Sequence, residues 1–317
     1  MLLKRSNKWN KNIITRLIYR IMQEPNYTYS YNKFLEFRKE ILKETREYNS
    51  LDELKNDLPE ADVFCTGSDQ VWGQIGNEPY DEAYFLKFVP KNKKCIAYSA
   101  SFGKKVNSKE LLNNLNFLLK DYNKILVREN TAVEIIKSIG IENVEQVLDP
   151  TLLLDKEEWS KLAIDIKNKS DYVLVYQLHD NKQFEIFSKQ FAKKANLKLI
   201  RISPSISNIF KTGHTVFMPT PQEFLGYIKN AKYILTDSFH GTVFSILFNK
   251  NFIDILPDKS ATRIESILAL TGLENRILKS YQDFSLINKN IKYKNINEIL
   301  KKERIKSVNL LKEAIFK

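Results

Sequence analysis

Residues 232–250 read K-Y-I-L-T-D-S-F-H-G-T-V-F-S-I-L-F-N-K. Tyr233 to Thr236 is a short apolar run of strand type, and Val243 to Phe248 is apolar with helical length once Gly241 and Thr242 are counted as its first turn. Between them lies Asp237-Ser238-Phe239-His240-Gly241, a turn rich in polar side chains. A strand feeding a helix through such a turn is the ligand-binding end of an open α/β sheet. Free N–H groups and the helix dipole favour an anion there, with His240 beside it. A lone histidine is often only structural. This one follows a buried strand and precedes a glycine that admits close backbone approach, which favours a functional reading.

Working outward, the same pattern recurs. Ala61 to Thr66 reads as a strand ending in Gly67-Ser68-Asp69, which can cradle an anion or sugar hydroxyls or form an ordinary turn. Lys94 to Ser99 ends in Ala100-Ser101-Phe102-Gly103. Lys124 to Val127 delivers Arg128 and Glu129, and Val144 to Leu148 ends in Asp149-Pro150-Thr151. A purely structural sheet has no need of so regular a polar rim. Strands alternating with helices predict a parallel, doubly wound sheet with its binding edge at these ends.

A second alternating set begins after a polar linker at 165–171. Its strands are expected at Tyr172 to Leu178, Leu197 to Ser203, Tyr233 to Thr236 and Phe252 to Leu256, with a polar loop through Thr212. Asp155 with Glu158 and Thr220-Pro221-Gln222-Glu223 read as capped helix starts, and Ser50 with Glu53 as a capping box. Thr262-Arg263-Ile264-Glu265 reads as another, with Arg263 in the first turn. An arginine there opposes the helix dipole, which suggests an anion ligand or a surface ion pair. The tail, 291–317, reads as a Lys-rich helix presenting a solvated face.

The chain has 317 residues, 43% hydrophobic and 12% aromatic, enough for two cored domains. No apolar run is long enough to cross a bilayer. Fifty Lys and Arg against 38 Asp and Glu give a formal charge of +12, which suits an anionic partner. The lysines are scattered and no nucleic-acid motif is present, so no nucleic-acid partner is expected. Residues 1–24 read as a basic amphipathic helix that packs on the body or makes peripheral contact with an anionic membrane. Cys65 and Cys95 read as buried thiols of a reducing cytosol. No Cys/His cluster has metal-ligand spacing, so no metal is expected.

Six motifs now stand in order: F-C-T-G-S-D-Q-V-W (64–72), I-A-Y-S-A-S-F-G (96–103), V-R-E (127–129), V-L-D-P-T-L-L (147–153), T-D-S-F-H-G-T (236–242) and R-I-E-S (263–266). Together they resemble the polysaccharide pyruvyl transferase family over about residues 30–275. The resemblance implies two Rossmann-like domains facing across a cleft, as in B-type glycosyltransferases. An acceptor-side domain is expected over 1–160, and a donor-side domain with a C-terminal helix over 161–317. It implies transfer of a pyruvyl group from phosphoenolpyruvate to a sugar of a surface polysaccharide or its lipid-linked precursor, forming a ketal, in the cytoplasm or at the inner membrane face. No cofactor beyond that donor is implied. The family's histidine falls on His240 and its arginine after the third strand on Arg128, both implied to handle the donor.

Two departures stand out. Many members read S-R-L-H where this chain has Asp237-Ser238-Phe239-His240, so Arg263 is expected to supply the missing cation. The family's opening strand and N-Y-G-A-type turn have no counterpart, so the first domain is expected to lack its opening strand. Phosphoenolpyruvate carries a phosphate and a carboxylate, and Arg128 and Arg263 offer planar forks for them. His240 is read as an acid or a stabiliser of departing phosphate, and Asp69 or Glu129 as the hydroxyl base. Ser238, Gly241, Thr242, Gly67, Ser68 and Ser101 complete the expected substrate-binding rim. A nucleotide-sugar glycosyltransferase of similar architecture and a truncated, catalytically silent binding homologue are the competing readings.

Overall fold

The computed structural model describes residues 24–73, 80–104, 109–166, 170–204, 211–258 and 260–317. The basic helix expected over 1–24 therefore lies outside the described residues, apart from Glu24. Two helices, α1 (Glu24–Ile41) and α2 (Leu51–Asn56), lead into β1 (Val63–Thr66). Then come β2 (Lys94–Ala100), α3 (Lys109–Leu119), β3 (Lys124–Val127), α4 (Asn130–Ser138) and β4 (Val144–Gln146). These four strands form one parallel sheet in the order β1-β2-β3-β4.

After α5 (Lys156–Leu162) the second set runs β5 (Tyr172–Tyr176), α6 (Lys182–Lys194), β6 (Lys198–Ser203), β7 (His214–Phe217), α7 (Pro221–Asn230) and β8 (Tyr233–Thr236). It closes with α8 (Phe239–Leu247), β9 (Asn251–Asp254), α9 (Thr262–Thr271) and α10 (Tyr293–Phe316). Its sheet is parallel in the order β7-β6-β5-β8-β9. β7 is a strand that the sequence reading does not include. His214 is exposed and the three residues after it are all partly buried, so no period-two alternation marks it.

Local chemistry sets the helix starts. At α7 the Thr220 hydroxyl accepts the Glu223 N–H at 3.1 Å while the Glu223 carboxylate accepts the Thr220 N–H at 2.6 Å, with Pro221 in the first turn. Asp155 and Glu158 do the same for α5. Ser50 caps α2, but the Glu53 carboxylate takes the N–H of Asn49 instead of completing the box. At α9 the expected cap is not made: Ala261 holds the cap position, Thr262 lies inside the helix, and its buried hydroxyl has no partner.

α5 runs across the boundary expected at 160, and its Trp159 packs edge-on against Phe244 at 5.1 Å and joins the second core. Two further expectations are corrected. The tail helix α10 is no mere solvated face. Ile296 and Leu300 enter the second domain's core, whereas Ala314, with Leu310 and Leu311, packs on Ile96, Tyr98 and Leu126 of the first sheet. At its middle, Ser307 accepts the N–H of Leu148 at 3.0 Å. Cys95 is buried but Cys65 is exposed, because β1 is an edge strand among the described residues. No helix among them is long and apolar enough to cross a membrane.

The end of β9 carries a buried carboxyl. Asp254 has no solvent contact; Oδ1 accepts the Thr242 hydroxyl at 2.6 Å and Oδ2 has no partner. Burial, with Asp237 adding to it, pushes its pKa up to about 8 against the opposing Thr242 bond. The folded chain therefore holds a proton that the unfolded chain releases near pH 4, and this group's contribution to stability falls as pH rises toward 8. We predict that Asp254→Asn, which keeps the Thr242 bond, flattens this dependence. Relative to the variant, wild-type melting temperature should decline between pH 5 and pH 8; parallel melting curves across that range would rule the neutral carboxyl out.

Candidate functional site

The carboxyl ends of both sheets face one cleft, and Arg128 is its central charge. The residue is 4% exposed, so its guanidinium must be satisfied by protein. Nη2 pairs with Asp149 Oδ2 at 3.0 Å and bonds Ser68 Oγ; Nε donates to Ser99 Oγ at 3.4 Å. Nη1 lies 3.5 Å from Asp69 Oδ1 and has no hydrogen-bond partner. From the other domain, the Phe239 ring comes beneath the guanidinium, with Cζ 4.9 Å from its centroid. Ser99 reaches Arg128 because β2 bulges between Tyr98 and Ala100, with Ser99 at φ 56.

Asp149 does two things at once. Oδ1 caps the turn that follows by accepting the N–H and hydroxyl of Thr151 at 2.9 and 2.6 Å, while Oδ2 faces Arg128 and the Ser68 hydroxyl. Burial would raise its pKa, but Arg128 and the Thr151 bonds outweigh that and hold it below the ordinary carboxylate value. The D-P-T signal was visible in the sequence, but nothing in it paired Asp149 with Arg128.

Arg263 meets the same cluster from α9. Nη1 pairs with Asp69 Oδ1 at 3.0 Å, and Cζ stands 5.5 Å from the Phe239 centroid. Two guanidiniums from different domains thus converge on one carboxylate oxygen. Asp69 holds that place with φ at 94°, a backbone conformation uncommon for a residue with a side chain. Nearby, Ser266 joins the domains by accepting from Gln146 Nε2 at 2.8 Å. A cavity of about 100 Å³ adjoins the arginines, lined among others by Arg128, Asp149, Phe239, Arg263 and, from α10, Glu303 and Lys306.

His240 lies in the first turn of α8, not in the preceding turn, and is only partly buried. Burial lowers its pKa, opposed chiefly by Asp149 and reinforced by Arg128. Its imidazole is therefore neutral at pH 7 in the ligand-free cleft. Ser238, where the resemblance leads one to expect arginine, is the buried N-cap of α8 and accepts the Gly241 N–H at 3.4 Å.

Several expected rim residues lie beneath the cleft instead of in it. Glu129 has no solvent contact; Oε1 accepts the Ser101 hydroxyl at 2.8 Å and the Phe102 N–H at 3.1 Å, pinning the exit of β2. Burial raises its pKa, with Ser101 and Arg128 opposing. Ser101 is equally buried against it. Thr242 is spent on Asp254 and on the Ser238 carbonyl. At Gly241 a Cβ would stand 2.3 Å from the Thr236 hydroxyl, so that glycine serves packing; at Gly67 a Cβ would meet open space. Among the described residues no group of His, Cys, Asp and Glu could hold a metal ion.

Two parallel-sheet α/β domains closing on a polar cleft define the architecture of B-type glycosyltransferases and related sugar enzymes. Within that class the chain belongs to the polysaccharide pyruvyl transferase family, whose model matches residues 3–258. Among solved structures, UDP-GlcNAc 2-epimerase from Methanocaldococcus jannaschii is 15% identical over 86% of this chain and 88% of that chain, at a TM-score of 0.54. The same enzyme in complex with UDP-GlcNAc and UDP is 14% identical over 87% of each chain, at 0.53. These likenesses are of fold alone. Among curated proteins, none matches this sequence.

The Arg128–Asp149 pair makes a stability prediction. Removing one member of a buried pair leaves the other charge unpaired, at a cost of about 3–5 kcal/mol. Arg128→Met should lose about that much at pH 7. In the wild type, the depressed pKa of Asp149 means its contribution is present above the ordinary carboxylate pKa and is lost as pH falls through the folded value. In the variant the sign reverses, because protonating Asp149 relieves the unpaired charge. Denaturant unfolding should thus show the deficit narrowing from pH 7 to pH 4, and a constant deficit would refute the pairing argument.

Proposed function

We propose that the chain transfers a pyruvyl group from phosphoenolpyruvate to hydroxyls of a saccharide acceptor, forming a ketal. The observation that carries this reading is the convergence of Arg128 and Arg263 on Asp69 Oδ1, at 3.5 and 3.0 Å. A site where two planar cations already accommodate one carboxylate oxygen suits a donor bearing a carboxylate and a phosphate. Arg263, supplied from α9, stands in for the arginine that Ser238 replaces. Family membership supports a saccharide acceptor, which enters from the first domain's side of the cleft.

In this mechanism the arginines bind the donor and hold its anionic groups while bonds change. Asp69 orients the two guanidiniums. Glu129 keeps the β2 exit in place from below, in a positioning role instead of the hydroxyl base expected from sequence. His240, beside the donor, supplies the proton that converts the donor's methylene to methyl. Its neutral resting state fits this, because the donor's negative charges would draw a proton onto it only when the cleft is occupied. The cationic centre that results is attacked by a saccharide hydroxyl, phosphate departs, and a second hydroxyl closes the ketal.

Thermal shift tests the donor: phosphoenolpyruvate should raise the melting temperature, and UDP-GlcNAc should not. The reverse result would favour a nucleotide-sugar enzyme. His240→Asn keeps a hydrogen-bond donor and nearly the same volume but cannot titrate near neutrality. We predict donor affinity close to wild type and turnover reduced by about 10²–10⁴-fold. A stable variant with full turnover would remove His240 from the mechanism.

A further inference from the structure

Ligands of open α/β sheets bind where the strand order reverses, because loops from neighbouring strands part there and open a crevice. In the second sheet that point lies between β5 and β8. His179 is the third residue after β5, and Asp237 directly follows β8. Asp237 is 3% exposed, and its whole carboxylate reaches across the crevice. Oδ1 accepts the Leu178 N–H at 2.7 Å; Oδ2 accepts the His179 N–H at 2.9 Å and faces His179 Nδ1 at 3.1 Å. On the other side Gln177 Nε2 donates to the carbonyls of His179 and Asn181, at 2.8 and 3.3 Å.

His179 is thus fixed at its N–H, its carbonyl and one ring nitrogen, although its side chain is 51% exposed. Pinning the loop needs only the backbone bonds. The added imidazole contact has a different consequence: Nδ1–H given to the carboxylate leaves the lone pair on Nε2, directed away from Asp237. His240 leaves the same strand end three residues past Asp237, in the first turn of α8.

The transfer proposed above, on which this inference rests, removes two hydroxyl protons from the acceptor. Its assigned residues leave that task open: Asp69 and Asp149 are committed to arginines, Glu129 is buried, and His240 serves the donor. We infer that His179 is the catalytic base for the saccharide hydroxyls, with Asp237 as its positioning residue. Nε2 takes the hydroxyl proton as the O–H bond breaks, and that oxygen bonds to the donor's central carbon. The donor's double-bond pair has meanwhile taken the proton from His240 at the methylene carbon. Phosphate leaves with the electron pair of its C–O bond, and the second hydroxyl adds in the same way. Of the two hydroxyl protons, one replaces that given by His240 and the other departs with phosphate.

The chain has three histidines, so its ring nitrogens can be resolved by NMR and assigned with His179→Gln, His214→Gln and His240→Asn. His179 should be the Nδ1-protonated tautomer. Phosphoenolpyruvate should move the signals of His240 and His179 and leave His214, which starts β7 at the opposite end of the sheet, in place. Movement of His240 without His179, or the Nε2-protonated tautomer, overturns this inference alone. Movement of neither overturns the transfer itself and this inference with it. With whichever of methyl glucoside, galactoside and mannoside the wild type pyruvylates, His179→Gln should lower kcat about 10²-fold or more, with melting temperature unchanged. KM for phosphoenolpyruvate should stay within about twofold, as expected for a group that acts only in the transition state. Unchanged kcat overturns the assignment. Asp237→Asn should mix the tautomers and lower kcat while His179 remains.

Discussion

A guanidinium buried at 4% exposure is the constraint on which the cleft depends. An unpaired charge there is too costly to keep, so the surrounding segments are arranged to satisfy Arg128. Ser68 comes from the exit of β1, Ser99 from the bulge in β2, and Asp149 from the exit of β4. Three polar strand ends that look independent in the sequence are therefore one hydrogen-bonded unit. Phe239 completes it from the second domain, so the same charge that organises the first rim also binds the two halves together.

The clasp explains the electrostatics of the cleft. Arg128, Arg263, Asp69, Asp149 and His240 all lie close enough to influence one another. Burial lowers His240, and Asp149 only partly offsets it, so the histidine rests neutral between two fixed cations. An incoming anion would favour the protonated imidazole.

One helix packs on both halves. α10 begins in the second domain's core and ends on the first sheet, and Arg304 donates to the carbonyl of Leu152 at 2.8 Å on the way. Its residues Glu303 and Lys306 line the cavity beside the arginines. α10 thus touches both domains beside the place where Arg263 and Phe239 meet Arg128.

The sequence by itself determined every described strand but β7, most helix starts and the polar strand ends. These rest on signals a few residues apart: apolar periodicity, the reciprocal caps at Thr220 and Asp155, and glycine and aspartate at turns. It also placed Arg128, His240 and Arg263 among the candidates, because their positions at strand exits and in a first helical turn are legible locally. The tertiary structure decided which of those residues see the cleft. Glu129 and Arg128 are neighbours in sequence, yet one lies beneath the floor and the other forms it, since successive residues at a strand exit point opposite ways. The pairings of Asp149 with Arg128, Phe239 with both arginines, and His179 with Asp237 join residues from different strand ends or different domains. The crossing of α10 likewise turned a Lys-rich tail into part of two cores. Such contacts are fixed by burial and by the order of strands in a sheet, and no short-range pattern in the chain encodes that order.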